Sequence, residues 1–222
     1  MTIIGIDFSI LYPGICICRD FKSYKWLALA NTNITKKEEK NLEDLTTTYP
    51  TIKIYRTETR RKTEEHYHLT ERNKLVNYIE ATNLLIEKIK EEVDPDEELV
   101  IALEGISFGS SGNSLVDISQ ATGIIKDKLV NQILKDDASR LFIFSPSELK
   151  NAIGCKGNAK KMEIYNKFLT DPILDSVKQS DLYLALESED WVLKKDQIVS
   201  PIMDMIDSFL GVVKVHQILF QK

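Results

Sequence analysis

The chain has 222 residues, 43% apolar and 28% charged, with a net charge of −5 and a pI of about 5.4, which is ordinary for a globular protein with a sizeable core. No run approaches the ~20 apolar residues of a membrane span, and the start lacks the basic stretch and small-residue cleavage site of a signal peptide. The acidity argues against coating nucleic acid by bulk electrostatics, though not against local basic groups on a nucleic-acid enzyme. A cytoplasmic protein without a membrane partner is the expectation.

In chain order, Thr2 to Asp7 reads as an apolar strand. Tyr12-Pro13-Gly14 signals a turn, and Ile15 to Cys18 resumes as a second strand. Tyr24 to Ala30 forms a third, followed by a polar excursion or short helix, Asn31 to Tyr49, that contains KKEEK. The alternating TIKIY, Thr51 to Tyr55, can add a further strand. Apolar residues Leu75, Ile79, Leu84, Leu85, Ile86 and Ile89 recur at helical spacing, which predicts a long helix over Leu69 to Glu92, ended by Asp94-Pro95. The run LVIAL, Leu99 to Leu103, has the unbroken apolar character of a strand covered on both faces. Further helices are predicted over Ser114 to Leu134, Asn158 to Leu169 and Pro201 to His216, with a strand at Leu141 to Phe144. Asp171 to Val199 is acidic and weakly periodic. Early strands followed by helix–strand alternation indicate α/β with a mixed sheet.

Of the three cysteines, Cys16 and Cys18 alternate in GICIC and would share a strand face, while Cys155 stands alone. Nothing has zinc-ligand spacing, so reduced, buried thiols are expected. His66, His68 and His216 likewise have no partner spacing that singles out a metal site.

The acids are more telling. Asp7 ends IIGID and Glu104 ends the buried-looking IALE, and α/β sites form at the carboxyl ends of strands. For either alone, a cap, a turn former or a solvated strand end is the plainer reading. In SPIMDMIDSFLGVV, Ser200 and Pro201 suit a helix start, and Asp204 and Asp207 lie one turn apart on one face together with Ser208 and Gly211. Interaction with the helix N-terminus explains one such Asp more easily than two in an apolar helix. Small residues on that face would let the helix approach the sheet. Four acids brought together repel unless a cation sits among them. Mg²⁺ suits carboxylate oxygens, and two such ions about 4 Å apart can activate a water and stabilise the leaving oxygen of a phosphodiester.

These residues resemble the RuvC family of Holliday-junction resolvases, within the ribonuclease H-like superfamily. Gly5-Ile6-Asp7 matches the opening strand, and Gly14 falls on the family's glycine, although Phe8-Ser9 replaces the usual Pro-Gly. Glu104 falls on the second acid, and SQATG, Ser119 to Gly123, resembles the small-residue element with Thr122 in place of Arg. FSPSELKNAIGCKGNAKKMEI, Phe144 to Ile164, places Gly157, Ala159 and Lys161 on Gly-x-Ala-x-Lys, with one extra residue between Gly154 and Gly157. Asp204-Met-Ile-Asp207-Ser matches the terminal Asp-x-x-Asp-small element. The regions 31–72 and 171–199 are longer than in the compact bacterial enzymes, as in a divergent phage or viral branch whose members act in the host cytoplasm.

The resemblance implies one ribonuclease H-like nuclease domain over 1–222, with a central mixed five-stranded sheet flanked by helices on both faces. It implies a homodimeric endodeoxyribonuclease that resolves four-way and related branched DNA. Asp7, Glu104, Asp204 and Asp207 would hold Mg²⁺ or Mn²⁺, two ions per site, and Lys161 would orient or neutralise the scissile phosphate. Lys150, Lys156, Lys160 and Lys161 cluster around a glycine-punctuated turn and a helix start where phosphates could bind; the plainer reading is a solvated lysine face. Arg60-Arg61-Lys62 is followed by Glu64 and Glu65, and there the solvated reading leads. The family also carries an aromatic wedge shortly after its second acid. Phe108 stands one residue further on, with a loop-anchoring core role as the competing reading. Two other functions share some of these features: an actin-like ATPase or sugar kinase, for which the later glycine-rich phosphate loops are lacking, and a non-catalytic DNA-junction binding module.

Overall fold

A computed structural model describes all residues except 10–12, 32–35, 58–63, 107–111, 189–191, 194–196 and 221–222. The strands are β1 (Thr2–Asp7), β2 (Gly14–Arg19), β3 (Ser23–Asn31), β4 (Ile52–Thr57), β5 (Leu99–Glu104) and β6 (Leu141–Phe144), with a short pair β7 (Val192–Leu193) and β8 (Gln197–Ile198). The helices are α1 (Lys36–Thr48), α2 (Tyr67–Glu92), α3 (Asn113–Lys128), α4 (Pro146–Ala152), α5 (Lys161–Thr170), α6 (Asp181–Ser188) and α7 (Ile202–Phe220).

Among the described residues the main sheet runs β4–β3–β2–β1–β5–β6. Strand β2 is antiparallel to both neighbours, and the other adjacent pairs are parallel, so the remaining five strands all point one way. This is the expected α/β architecture with a mixed sheet, with one correction: the sheet has six strands, not the five that the resemblance implies. The sixth is TIKIY. Leu42 and Leu45 of α1 bury themselves over the sheet, and this crossover lays β4 beside β3 in the register Trp26↔Ile52 to Asn31↔Thr57.

Period-2 alternation separates the two faces. Ile3, Cys16, Cys18, Trp26, Val100 and Ala102 pack with α1, α4, α5, α6 and α7. Ile4, Ile6, Ile15, Ile17, Ile101 and Leu103 pack with α2 and α3. The two strand cysteines therefore share a face, buried and unbridged, as their spacing predicts. Each fully buried Ile, Leu or Phe in these layers contributes on the order of 1.5–3 kcal/mol.

Helix α7 reaches the sheet more closely than ordinary side chains permit. A Cβ on Gly5 would overlap the Ser208 carbonyl, and one on Gly14 would overlap the Asp204 carbonyl. On the helix side, a Cβ on Gly211 would lie 2.9 Å from that of Ala102. The other side of α7 is anchored by Phe209, which packs against Tyr24, Trp26 and Phe168. Small residues beneath and aromatics beside thus fix both the height and the rotation of the helix.

Candidate active site

Asp7 ends β1 directly opposite Gly14. Two and four residues earlier stand Gly5, under α7, and Ile3, in the core of the α7 face, so alternation turns Asp7 to that face. Glu104 ends β5, and its predecessors Ala102 and Val100 belong to the same face. Because β1 and β5 are parallel with Gly5↔Ala102 and Ile6↔Leu103 paired, Asp7 and Glu104 stand next along the ladder. Their carboxyl groups are hydrogen-bonded to each other. Asp204 and Asp207 come from the first two turns of α7, held low over the sheet by the glycines. All four acids line one cleft of ≈ 560 Å³, together with Ser9, Lys150, Lys160 and Lys161.

The charges in this cleft are under strain. Burial pushes the Asp7 carboxyl well above its ordinary range, and Glu104, Asp207 and Asp204 push it further. Burial also raises Glu104, against the hydrogen bond from Asp7 and the nearby Lys150 and Lys161. Asp207 is lifted to about 7, by burial first and Glu104 next, with Lys161 opposing. Asp204, raised by burial, is relieved in part by Lys161 and by a hydrogen bond with Ser200. Its Oδ2 is buried with no hydrogen-bond partner among the described residues.

The lysines come from a tightly built turn. Ser145 and Glu148 form a capping box at the start of α4, with Pro146 in the first turn. Gly154 takes φ +79°, a conformation that favours glycine. Lys150 Nζ then donates to the Ala159 carbonyl at 3.0 Å, closing the turn. Lys161 opens α5, where the helix dipole disfavours a cation; the neighbouring acids compensate it.

The predicted residues therefore fall into three groups. Asp7, Glu104, Asp204, Asp207, Lys150, Lys160 and Lys161 line one cleft. Lys156 is exposed and stands apart from that lining. Phe108, like Arg60-Arg61-Lys62, lies outside the described residues. Ser9 in the cleft has no sequence signal beyond standing close to an acid, and Ser200, legible only as a helix start, also hydrogen-bonds Asp204. His66 and His68 are exposed with stacked rings, and His216 is half-buried.

A larger hollow of ≈ 870 Å³ opens between α2 and α3, lined by Leu75, Ile79 and Ile124 with two acidic and two basic residues. It has no converging acids.

Whether a divalent cation fits the cleft depends on donors, charge and geometry. The donors are all hard oxygens, the class Mg²⁺ and Mn²⁺ prefer. Four acids forced toward protonation, one with an orphaned oxygen, lack the positive charge such an ion would bring. Among the described residues no three carboxylate, imidazole or thiol groups are set around a common point at ligand geometry. The proton that Asp7 and Glu104 share must leave before both carboxylates can face a cation. In donor chemistry and charge the residues fit.

No protein-family model matches the chain, and no curated protein matches it. Among solved structures, Thermus thermophilus RuvC is similar at 14% identity and a TM-score of 0.49, covering 98% of this chain and 96% of that one. T. thermophilus RuvC in complex with a Holliday junction substrate is similar at 14% identity and a TM-score of 0.45, with the same coverage.

Proposed function

We propose that this chain is a divalent-metal-dependent endonuclease that hydrolyses phosphodiesters in branched DNA, four-way junctions above all, and works as a homodimer matched to the junction's two-fold symmetry. The observation that carries this reading is the convergence of Asp7, Glu104, Asp204 and Asp207, from two strands and one helix, in a cleft edged by three lysines. A lone cap or solvated acid has no need of the other three.

Asp7, Glu104, Asp204 and Asp207 would hold the cations. Bound there, the metal supplies Lewis acidity and an activated water. Lys161 and Lys150, already close enough to lower Glu104 and Asp207, set positive charge where a phosphate's equatorial oxygens would lie. Lys160, exposed at the mouth, meets the backbone further out.

The test is cleavage of a synthetic four-way junction with Mg²⁺ and with EDTA. Paired, symmetric nicks are expected with metal alone. Asp7→Asn and Glu104→Gln each remove a ligand, and since metal stabilisation is worth several kcal/mol, cleavage should drop by about 10²-fold or more. Binding without cleavage by the unaltered protein favours a non-catalytic junction binder, and ATP turnover without DNA favours the ATPase reading.

A further inference from the structure

The sixth strand extends the carboxyl edge of the sheet beyond the acid cleft, and it carries a guanidinium with an unmade bond. Arg56 pairs with Ala30 near the end of β4. Ile52 and Ile54 on the same strand face the α7 side of the sheet, so Arg56, next in that alternation, shares the face of Asp7. Strands β3 and β4 run parallel to β1, which puts Arg56 at the same edge of the sheet as well. Its Nη1 is buried, with no hydrogen-bond partner among the described residues. A guanidinium offers five N–H donors and accepts nothing; Arg56 as a whole is only half-buried, and a buried N–H left without an acceptor is costly to keep. The group best suited to its planar fork is a phosphate or carboxylate.

Spacing decides between them. Strand β4 lies three strands from β1, about 14 Å at the usual inter-strand distance. At ~3.4 Å of rise per nucleotide that span equals about four nucleotides. A DNA backbone with its scissile phosphate over Asp7 and its path along the carboxyl edge would pass Arg56. We infer that Arg56 forms a phosphate-binding subsite for the DNA strand flanking the cut, about four nucleotides from the scissile bond.

This rests on the nuclease reading, and the experiment separates the two. Affinity for a fluorescent four-way junction is measured against salt for the unaltered protein, Arg56→Gln and Arg56→Lys, with Ca²⁺ in place of Mg²⁺ to hold the DNA uncut. R56Q is expected to weaken binding roughly tenfold and to reduce the slope of log K against log salt by about one. R56K should keep the slope and recover part of the affinity, since it keeps charge but not the fork. A single neutral methylphosphonate, moved along the flanking strand, should weaken the unaltered protein at one position about four nucleotides out and leave R56Q no weaker still. The melting temperature of R56Q should equal or exceed that of the unaltered protein, because the orphaned charge is gone, and this shows that the variant folds. Unchanged affinity and slope in R56Q, or a methylphosphonate penalty that adds fully to it, overturns the subsite while junction cleavage stands. Arg56-dependent binding by a protein that cuts nothing with Mg²⁺ overturns the nuclease reading and leaves the subsite in place.

Discussion

The carbonyl of Asp204 occupies the space where a side chain on Gly14 would begin. This contact sets the height of α7 above β2 and therefore the depth at which Asp204 and Asp207 enter the cleft. Gly14→Ala must push the helix outward. Overpacking of this kind costs about 1–3 kcal/mol, and for a chain of this size each kcal/mol lowers the melting temperature by roughly 2–4 °C. Cleavage should fall further than stability alone accounts for, because the displaced residue is a proposed ligand. Gly123 is the contrast: it lies within α3 with nothing within 4 Å of an added Cβ. Gly123→Ala should stabilise by up to about 1 kcal/mol and leave cleavage as it was. Thermal melts and junction assays on the two variants make the comparison.

Asp207 predicts how the metal-free protein responds to pH. Burial and the neighbouring Glu104 push its folded carboxyl up to about 7 from the ordinary 3.8. Between those values the folded state holds the extra proton, so stability must fall as pH rises, by an amount on the order of a few kcal/mol. The contribution is fully present below the unfolded value and is lost as pH passes the folded one. On the proposed reading Mg²⁺ would bind the deprotonated cluster, so its stabilising effect should grow with pH and its binding should release protons. Asp207→Asn should flatten the metal-free slope. Urea melts across this range, with EDTA and with Mg²⁺, measure both effects.

The parts of this site legible in the sequence were those written in periodicity and small residues. Asp7 and Glu104 end runs too apolar to be surface strands, and Ser208 and Gly211 mark the face of α7 that meets the sheet. What escaped was written in neither. Helix α1 reaches the core through only Leu42 and Leu45, so KKEEKNLEDLTTT reads equally as a solvated excursion or a short helix; TIKIY is legible as a strand by its alternation, but the five-stranded count implied by the resemblance has no place for it. Helix α4 is a single capped stretch of seven residues, too short for its period to stand out. The acidic 171–199 region hides α6, whose Leu182, Ala185 and Leu186 are buried. The Asp7–Glu104 hydrogen bond depends on the register of two strands more than ninety residues apart, which no local pattern encodes.

Glu92 carries the opposite sign at the far edge of the sheet. Its side chain is 3% exposed and is clasped by Lys25 at 2.6 Å and by Lys53. Burial alone would raise its pKa, but the two lysine hydrogen bonds outweigh burial and hold it below the ordinary value. Its stabilisation is therefore present above the unfolded carboxylate range and is lost as pH falls through the lowered value. Glu92→Gln should cost about 1.5–3 kcal/mol near neutral pH and progressively less in acid. Cleavage should not change, since Glu92 ends α2 on the face away from α7. Denaturant melts from neutral to acidic pH, alongside a junction assay, test the separation.

Lys161 joins the electrostatics of the cleft to its chemistry. As the first residue of α5 it stands where a helix dipole repels a cation, yet its charge lowers Glu104, Asp204 and Asp207 against the burial that raises them. With Lys161→Met that relief is gone, and the three acids hold their protons to higher pH. Metal binding needs those protons removed, so the acid limb of the cleavage profile should move upward. A shift of about one pH unit lowers the rate on that limb roughly tenfold, with recovery at higher pH. Lys161→Arg restores a charge that cannot titrate and should bring the limb back toward its original place. A drop of equal size at every pH would assign Lys161 to the phosphate alone and leave the tuning of the acids to Lys150. The pH–rate profile of junction cleavage for the three proteins, at saturating DNA and Mg²⁺, separates these outcomes.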